Sequence, residues 1–225
     1  MTKILPYLLP SVFICLIFVA WQEFDNAVRE DNAKVLFSEA KGGPEEEFEL
    51  RTLEAIEQLE YRNILGHNVI VDAYLKAYYF YNLVFHLDDT EKRSLYARKA
   101  MEYFTVAVKQ RPTLAVTWSY LAQLAWVLGL QDNNFYHYLE QAHRLGLYEF
   151  QTHSRLVTIG VWMIEQNHPI PEVTKSILIH HVIYGLNDKK SRSIISSLIK
   201  ANKTTKDTFC SWLDSHTDVF KKISC

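Results

Sequence analysis

The sequence predicts an all-α protein: one transmembrane helix at the N-terminus, followed by a body of stacked helical hairpins. Three observations lead there. Glycine and proline are scarce, at seven and six among 225 residues, where average usage would give about sixteen and eleven. That scarcity disfavours turn-rich sandwiches, propellers and glycine-loop nucleotide folds. Between the few breakers apolar residues recur at helical spacing, and no stretch alternates as a half-buried strand does. The chain also holds thirteen Tyr, twelve Phe and five Trp. Such residues are mediocre helix formers, so packing between helices must hold them.

The first element follows from Ile4 to Trp21, ILPYLLPSVFICLIFVAW, eighteen residues without a charge. A helix of that length spans roughly 27 Å, close to the hydrocarbon thickness of a bilayer. Tyr7 and Trp21 lie near its ends, where amphipathic rings favour a membrane interface. Phe18 stands where a signal-peptidase site would need a small residue, which argues against cleavage. Ile14 before Cys15 argues against a lipoprotein. Lys3 precedes the stretch and Glu23, Asp25, Glu30 and Asp31 follow it. The expectation is a single-pass anchor in a bacterial inner membrane, through residues 4–21, with the body on the periplasmic side.

Charge divides the rest. The overall balance is −2, which excludes a nucleic-acid footprint. From Glu23 to Glu60 twelve acidic residues face four basic ones, whereas from Tyr61 onward nineteen basic face fourteen acidic. The expected organisation is therefore an anchor (1–22), an acidic helical arm (23–66) and a hairpin domain (67–225).

In the arm, a helical pattern from Glu23 to Ala40 stops at Gly42-Gly43-Pro44. Pro44 suits the start of the next helix, and Glu45, Glu46 and Glu47 favour its positive end. That helix runs to about Arg62, and Gly66 breaks the pattern. A Tyr-rich helix over 68–86 follows. Asp88 or Asp89 can then cap another over 90–110.

From here the pattern becomes specific. Ala100, Phe104, Ala107 and Pro112 match Ala-x3-Phe-x2-Ala-x4-Pro, the second-helix signature of a tetratricopeptide repeat. In phase with that proline come Trp118, Leu121, Ala122 and Ala125, at the repeat's first-helix spacing. Phe135, Leu139 and Ala142 continue the pattern after one inserted residue, and Gly146 closes the unit. Small residues let helices approach, and the aromatic fills the gap. Further helices are expected over 149–166, 171–185, 189–201 and 206–220, which makes the domain TPR-like.

The stretch 97–149 also resembles the VpsP-like family, accessory proteins of bacterial exopolysaccharide clusters. The resemblance rests on Arg111-Pro112-Thr113, Trp118, Leu121-Ala122, Phe135, Leu139-Glu140-Gln141-Ala142 and Leu145-Gly146-Leu147-Tyr148-Glu149, in one order and spacing. Gly146-Leu147-Tyr148-Glu149 stands where that family tends to read Gly-Pro-Trp-Glu. The resemblance implies a pathway, polysaccharide biosynthesis or export, and as partners the proteins of a polysaccharide assembly system. It implies no catalytic residue.

Chemistry is sparse in the sequence. There is no phosphate loop, nucleophile elbow or His-Glu-x-x-His motif. His180 and His181 are adjacent, so on a helix they point roughly 100° apart and cannot grip one metal together. Packing at a helix interface is the better account of them. Tyr136 and Tyr138 could offer rings to a sugar, but core packing or lone surface rings explain them as well. No enzyme activity, cofactor or metal is expected.

The expected function is a scaffold that acts through protein–protein contact. The alternative is direct binding of a glycan or lipid-linked sugar. The candidate binding face lies opposite the repeat core: if Trp118, Leu121 and Ala122 face the partner helix, Ser119, Gln123 and Trp126 line a groove. Cys210 and Cys225 remain, either as two free thiols or as a disulfide. A continuous helix would hold residues fifteen apart at roughly 22 Å, and a bridge needs Cα atoms within about 7 Å. A bond and an unbroken terminal helix therefore exclude each other.

Overall fold

The computed structural model describes residues 5–60, 69–213, 222, 223 and 225. Among these it contains ten α-helices and no strand: α1 (Leu5–Ala40), α2 (Glu45–Glu60), α3 (Val69–His86), α4 (Thr90–Gln110), α5 (Ala115–Val127), α6 (Asn133–Leu145), α7 (Phe150–Glu165), α8 (Glu172–Asn187), α9 (Arg192–Lys200) and α10 (Lys203–Trp212). The chain is thus all-α. It divides into two compact units, residues 1–93 and 94–225. The division falls in the first turn of α4 rather than at the 66/67 boundary drawn from the sequence, because α3 packs against α2.

In the first unit, α1 and α2 pair as antiparallel neighbours across Gly42-Gly43-Pro44, and α3 packs on α2. Phe37 is the hub: its ring stacks on Tyr79 at 4.4 Å and meets Phe48 at 5.9 Å. The acidic surplus of α2 is partly matched by its neighbours. Arg51 bonds Glu47 and Glu39, and Lys92 reaches Glu49 at 2.6 Å.

The N-terminal expectation is corrected here. The apolar stretch is not a helix of its own. α1 continues through it for 36 residues into a half bearing Glu23, Asp25, Arg29, Glu30, Asp31 and Lys34, and that half packs on α2. Among the described residues no helix is long and apolar enough to cross a membrane. A single-pass inner-membrane anchor through residues 4–21, and the periplasmic placement deduced from it, are not supported.

In the second unit, α5 and α6 form one hairpin and α7 and α8 another. The two stack with α5 against α7 and α6 against α8, while α9 and α10 lie on α7. Capping fixes several helix starts. Asp132 accepts from the N–H groups of Asn134 and Phe135 at the head of α6, and Asn202 accepts from Thr204 and Thr205 at the head of α10. That cap starts α10 three residues before Lys206. α9 starts at Arg192 because Asp188 ties the turn before it, accepting from the N–H groups of Lys190 and Ser191. The expected extension of the last helix to Phe220 falls outside the described residues.

Most positions grouped by the helical spacing around Pro112 are buried in this unit. Ala100, Phe104, Ala107, Leu121, Ala122, Phe135, Leu139 and Ala142 are all buried, and Phe104 stacks on Tyr120 at 4.6 Å. Pro112 is exposed, and its carbonyl accepts from Trp118 Nε1 at 2.8 Å. A second, entirely apolar cluster joins Val157 and Val161 of α7, Val182 and Leu186 of α8, Ile195 and Ile199 of α9, and Phe209 of α10. A disulfide joins Cys210 to Cys225, with Cα atoms 5.7 Å apart. α10 ends two residues after Cys210, which allows the return.

Candidate functional site

The face of α5 expected to line a groove is closed. Ser119 and Gln123 are buried, and Trp126 is only 6% exposed. Ser119 Oγ donates to the Val116 carbonyl. Gln123 Oε1 accepts from Arg155 Nη1 at 2.9 Å. Trp126 packs on Phe135 at 5.8 Å and edge-on to His168 at 5.1 Å. Conversely Trp118, expected in the core, is half-buried beside His137 and Tyr138. The physical reason is that eleven of the thirteen residues of α5 are buried. With neighbours on every side, a helix has no outward face, and the two-sided reading of its spacing fails.

Two open clefts lie instead around the α6–α7 connection. One cleft, of about 550 Å³, runs between α6 and α8. Glu140, His143 and Arg144 of α6 face Val173, Ser176, Ile177 and His180 of α8 across it. Both sets follow the three-and-four spacing that puts residues on one helix face. A second cleft, of about 630 Å³, is lined by residues 144–150 together with Asp188 and Lys190. Arg144 borders both.

The α6–α7 connection is closely packed and hydrogen-bonded. A Cβ at Gly146 would come within 2.8 Å of Ala115 Cβ and of Thr152, so only glycine lets α6 end this close to α5 and α7. His180 Nε2 bonds the Leu147 carbonyl at 3.2 Å, and Thr152 Oγ1 donates to Glu149 at 2.9 Å. Tyr148 stands 74% exposed. Its ring meets Tyr184 edge-on at 5.3 Å, and Tyr184 stacks on His180 at 4.3 Å.

Behind this surface lies a chain of three imidazoles. His181, with no exposed surface, uses both ring nitrogens: Nε2 is 3.1 Å from His143 Nδ1, and Nδ1 is 2.8 Å from His153 Nδ1. Each contact needs one proton between two nitrogens, so the three tautomers are locked to one another. Burial holds all three below the ordinary histidine range, His153 at about 4 and His181 at about 2, with the neighbouring imidazoles adding to the effect. The interior therefore favours neutral rings.

Gly185 makes this packing fit. A Cβ there would lie 3.0 Å from His153 Cβ and 2.2 Å from Ile195 Cδ1. Histidine spacing in sequence gave no sign of the chain, since its members come from three helices. The adjacent pair His180-His181 does divide, as a 100° step requires: one ring goes to the surface and the other to the interior. Among the described residues no group of three or more His, Cys, Asp or Glu is placed to hold a metal ion. The arrangement can bind and can store or pass a proton. Neither a protein-family model, nor a curated protein, nor a solved structure matches the chain.

Proposed function

We propose that this protein is a TPR-like, non-catalytic scaffold of bacterial exopolysaccharide biosynthesis or export, and that it engages a protein partner at the α6–α8 end of its second unit. The pathway rests on the resemblance of residues 97–149 to the VpsP-like family. The TPR-like reading draws on the repeat spacing and on two successive hairpins stacked first helix to first helix. One observation carries the site: the segment 145–149, within that resemblance, lines an open cleft and presents Tyr148 almost free to solvent. Large exposed aromatics backed by a second ring are frequent binding anchors. The closed face of α5 offers nothing comparable.

Co-purification tests the reading. The tagged protein should retain a component of a polysaccharide assembly system, and Tyr148→Ala should lose it while leaving the melting temperature unchanged. Capture that survives Tyr148→Ala and Tyr184→Ala together would place the interface elsewhere. Retention of proteins from unrelated pathways alone would remove the pathway.

The same surface supports a second reading, direct binding of a glycan, because the exposed Tyr148 ring, backed by Tyr184, lines one cleft with the charged donors Arg144 and Lys190. Binding of oligosaccharide to the isolated protein, lost in Tyr148→Ala, would favour it.

A further inference from the structure

We propose that the cleft between α6 and α8 is a binding site for a small phosphate- or carboxylate-bearing ligand, held by His143, Arg144 and Ser176 beside His180, and that the buried imidazole chain lets His143 take up a proton as the anion binds. This goes beyond the scaffold reading and does not depend on it.

The donor set is the first argument. Of the seven residues lining the cleft, His143, Arg144 and Ser176 have a hydrogen-bond donor to offer a ligand, and only Glu140 is a carboxylate. Arg144 spends one donor on Gln141 Oε1, which leaves the rest of its guanidinium fork for the cleft. His180 Nε2–H donates to the Leu147 carbonyl, so in the neutral ring Nδ1 is an acceptor and His180 borders the cleft without holding an anion. His143 spends Nδ1 on His181, so Nε2 is the nitrogen left. Val173, 63% exposed, and Ile177 supply an apolar wall. A ligand with a charged end and an apolar or CH-rich body fits both parts.

Proton accounting is the second argument. In one neutral arrangement His181 donates from Nε2 to His143, whose own proton is then on Nε2. In the other, His143 donates from Nδ1 to His181, His181 donates from Nδ1 to His153, and His153 carries its proton on Nε2. Adding one proton at His143 Nε2 to the second arrangement gives an imidazolium at the cleft and two neutral rings behind it, with both internal hydrogen bonds intact. The chain can thus accommodate a cation at its outer end without charging its interior. Without an anion, burial and His180 hold His143 below the ordinary range; an anion opposes both.

The groups facing His143 can be named from each neighbouring helix. On α6 they are Glu140 and Arg144; on α8, His180 and His181; on α7, His153 beyond His181. α5 contributes no acidic, basic or histidine side chain. Apart from Glu140, nothing there competes with an anionic ligand as counter-charge.

The test is titration of the whole chain with inorganic phosphate, phenyl phosphate and benzoate, followed by NMR of the histidine Cε1–H signals and by calorimetry in buffers of differing ionisation enthalpy. All that bind should shift His143 and His180 saturably; benzoate against phenyl phosphate separates a carboxylate from a phosphate ligand. Phenyl phosphate should bind more tightly than inorganic phosphate, a difference that Val173→Asp removes. Arg144→Gln should weaken binding about tenfold or more, the loss expected for a charge-assisted hydrogen bond. Binding should take up a fraction of a proton and tighten from about pH 8 to about pH 6. His143→Gln should abolish that uptake while keeping the fold. Absence of saturable shifts, or shifts indifferent to Arg144→Gln, would overturn the site. Binding without proton uptake would overturn the role of the imidazole chain. No partner protein is needed, so failure here leaves the co-purification result to stand by itself.

Discussion

Two adjacent residues of α8 face two different interiors. His181 meets His143 and His153 in a polar chain, while Val182 joins the wholly apolar cluster around Phe209. A helix step of 100° is enough to separate them. The apolar side derives its stability from burial and close packing, and it is indifferent to pH. The histidine side keeps three titratable rings in low dielectric, at a cost that hydrogen bonds only partly offset. One helix thus serves a structural core on one face and a chemically responsive interior on the other. The responsive interior is the one that adjoins open clefts.

The largest effect should come from emptying the apolar side. Phe209→Ala, at a fully buried ring, should lower stability by about 3–5 kcal/mol, measured by denaturant unfolding. It should leave the histidine NMR signals of the folded fraction in place. A loss below about 1 kcal/mol would mean that α10 does not belong to the cooperative core.

Acid should act on the other side. His153 is held at about 4 in the fold and returns to about 6.5 on unfolding. Between those values the unfolded chain binds more protons, so stability falls as pH falls from about 6.5 to about 4, by an amount on the order of a few kcal/mol. His181 adds in the same direction. Unfolding curves collected across that range should show the decline. In His153→Gln it should shrink, whereas in Phe209→Leu the slope should be unchanged. A flat profile would mean that the imidazoles are not neutral partners.

The smallest effect concerns Trp118, which is half-buried and gives one hydrogen bond to Pro112. Trp118→Phe should cost only about 0.5–1.5 kcal/mol, while Trp126→Ala should approach the cost of Phe209→Ala. The reverse order would restore the groove that the burial of α5 removes.

Much of the helix plan was legible before any coordinates. The breaks at Gly42-Gly43-Pro44 and Asp88-Asp89 place the facing ends of α1 and α2 and of α3 and α4 within a residue or two, and the spacing of Ala100, Phe104, Ala107, Leu121, Phe135 and Leu139 picks out buried positions of α4, α5 and α6. These are local effects: backbone freedom, capping and periodicity act within one or two turns. The same locality explains the failures. Trp126 and Trp118 exchange roles because burial of α5 is decided by α6 and α7, and by the segment carrying His168, all of which lie elsewhere in sequence. The apolar opening stretch reads as a span because the helical pattern that continues to Ala40 carries no sign that the two stretches form one helix packed on α2. The sequence places the start of α10 late, near Lys206, because Asn202 resembles any loop residue until its amide partners are in place.

The sequence by itself determined the all-α class, the hairpin spacing around Pro112 and the mutual exclusion of a Cys210–Cys225 bond and an unbroken terminal helix. Only the tertiary structure decided that the bond forms, that α5 has no free face, and that histidines 28 and 38 residues apart share protons with His181. Helix periodicity tells which side of a residue is apolar. It carries no information on which distant side chain will be found there, and the candidate site is made entirely of such meetings.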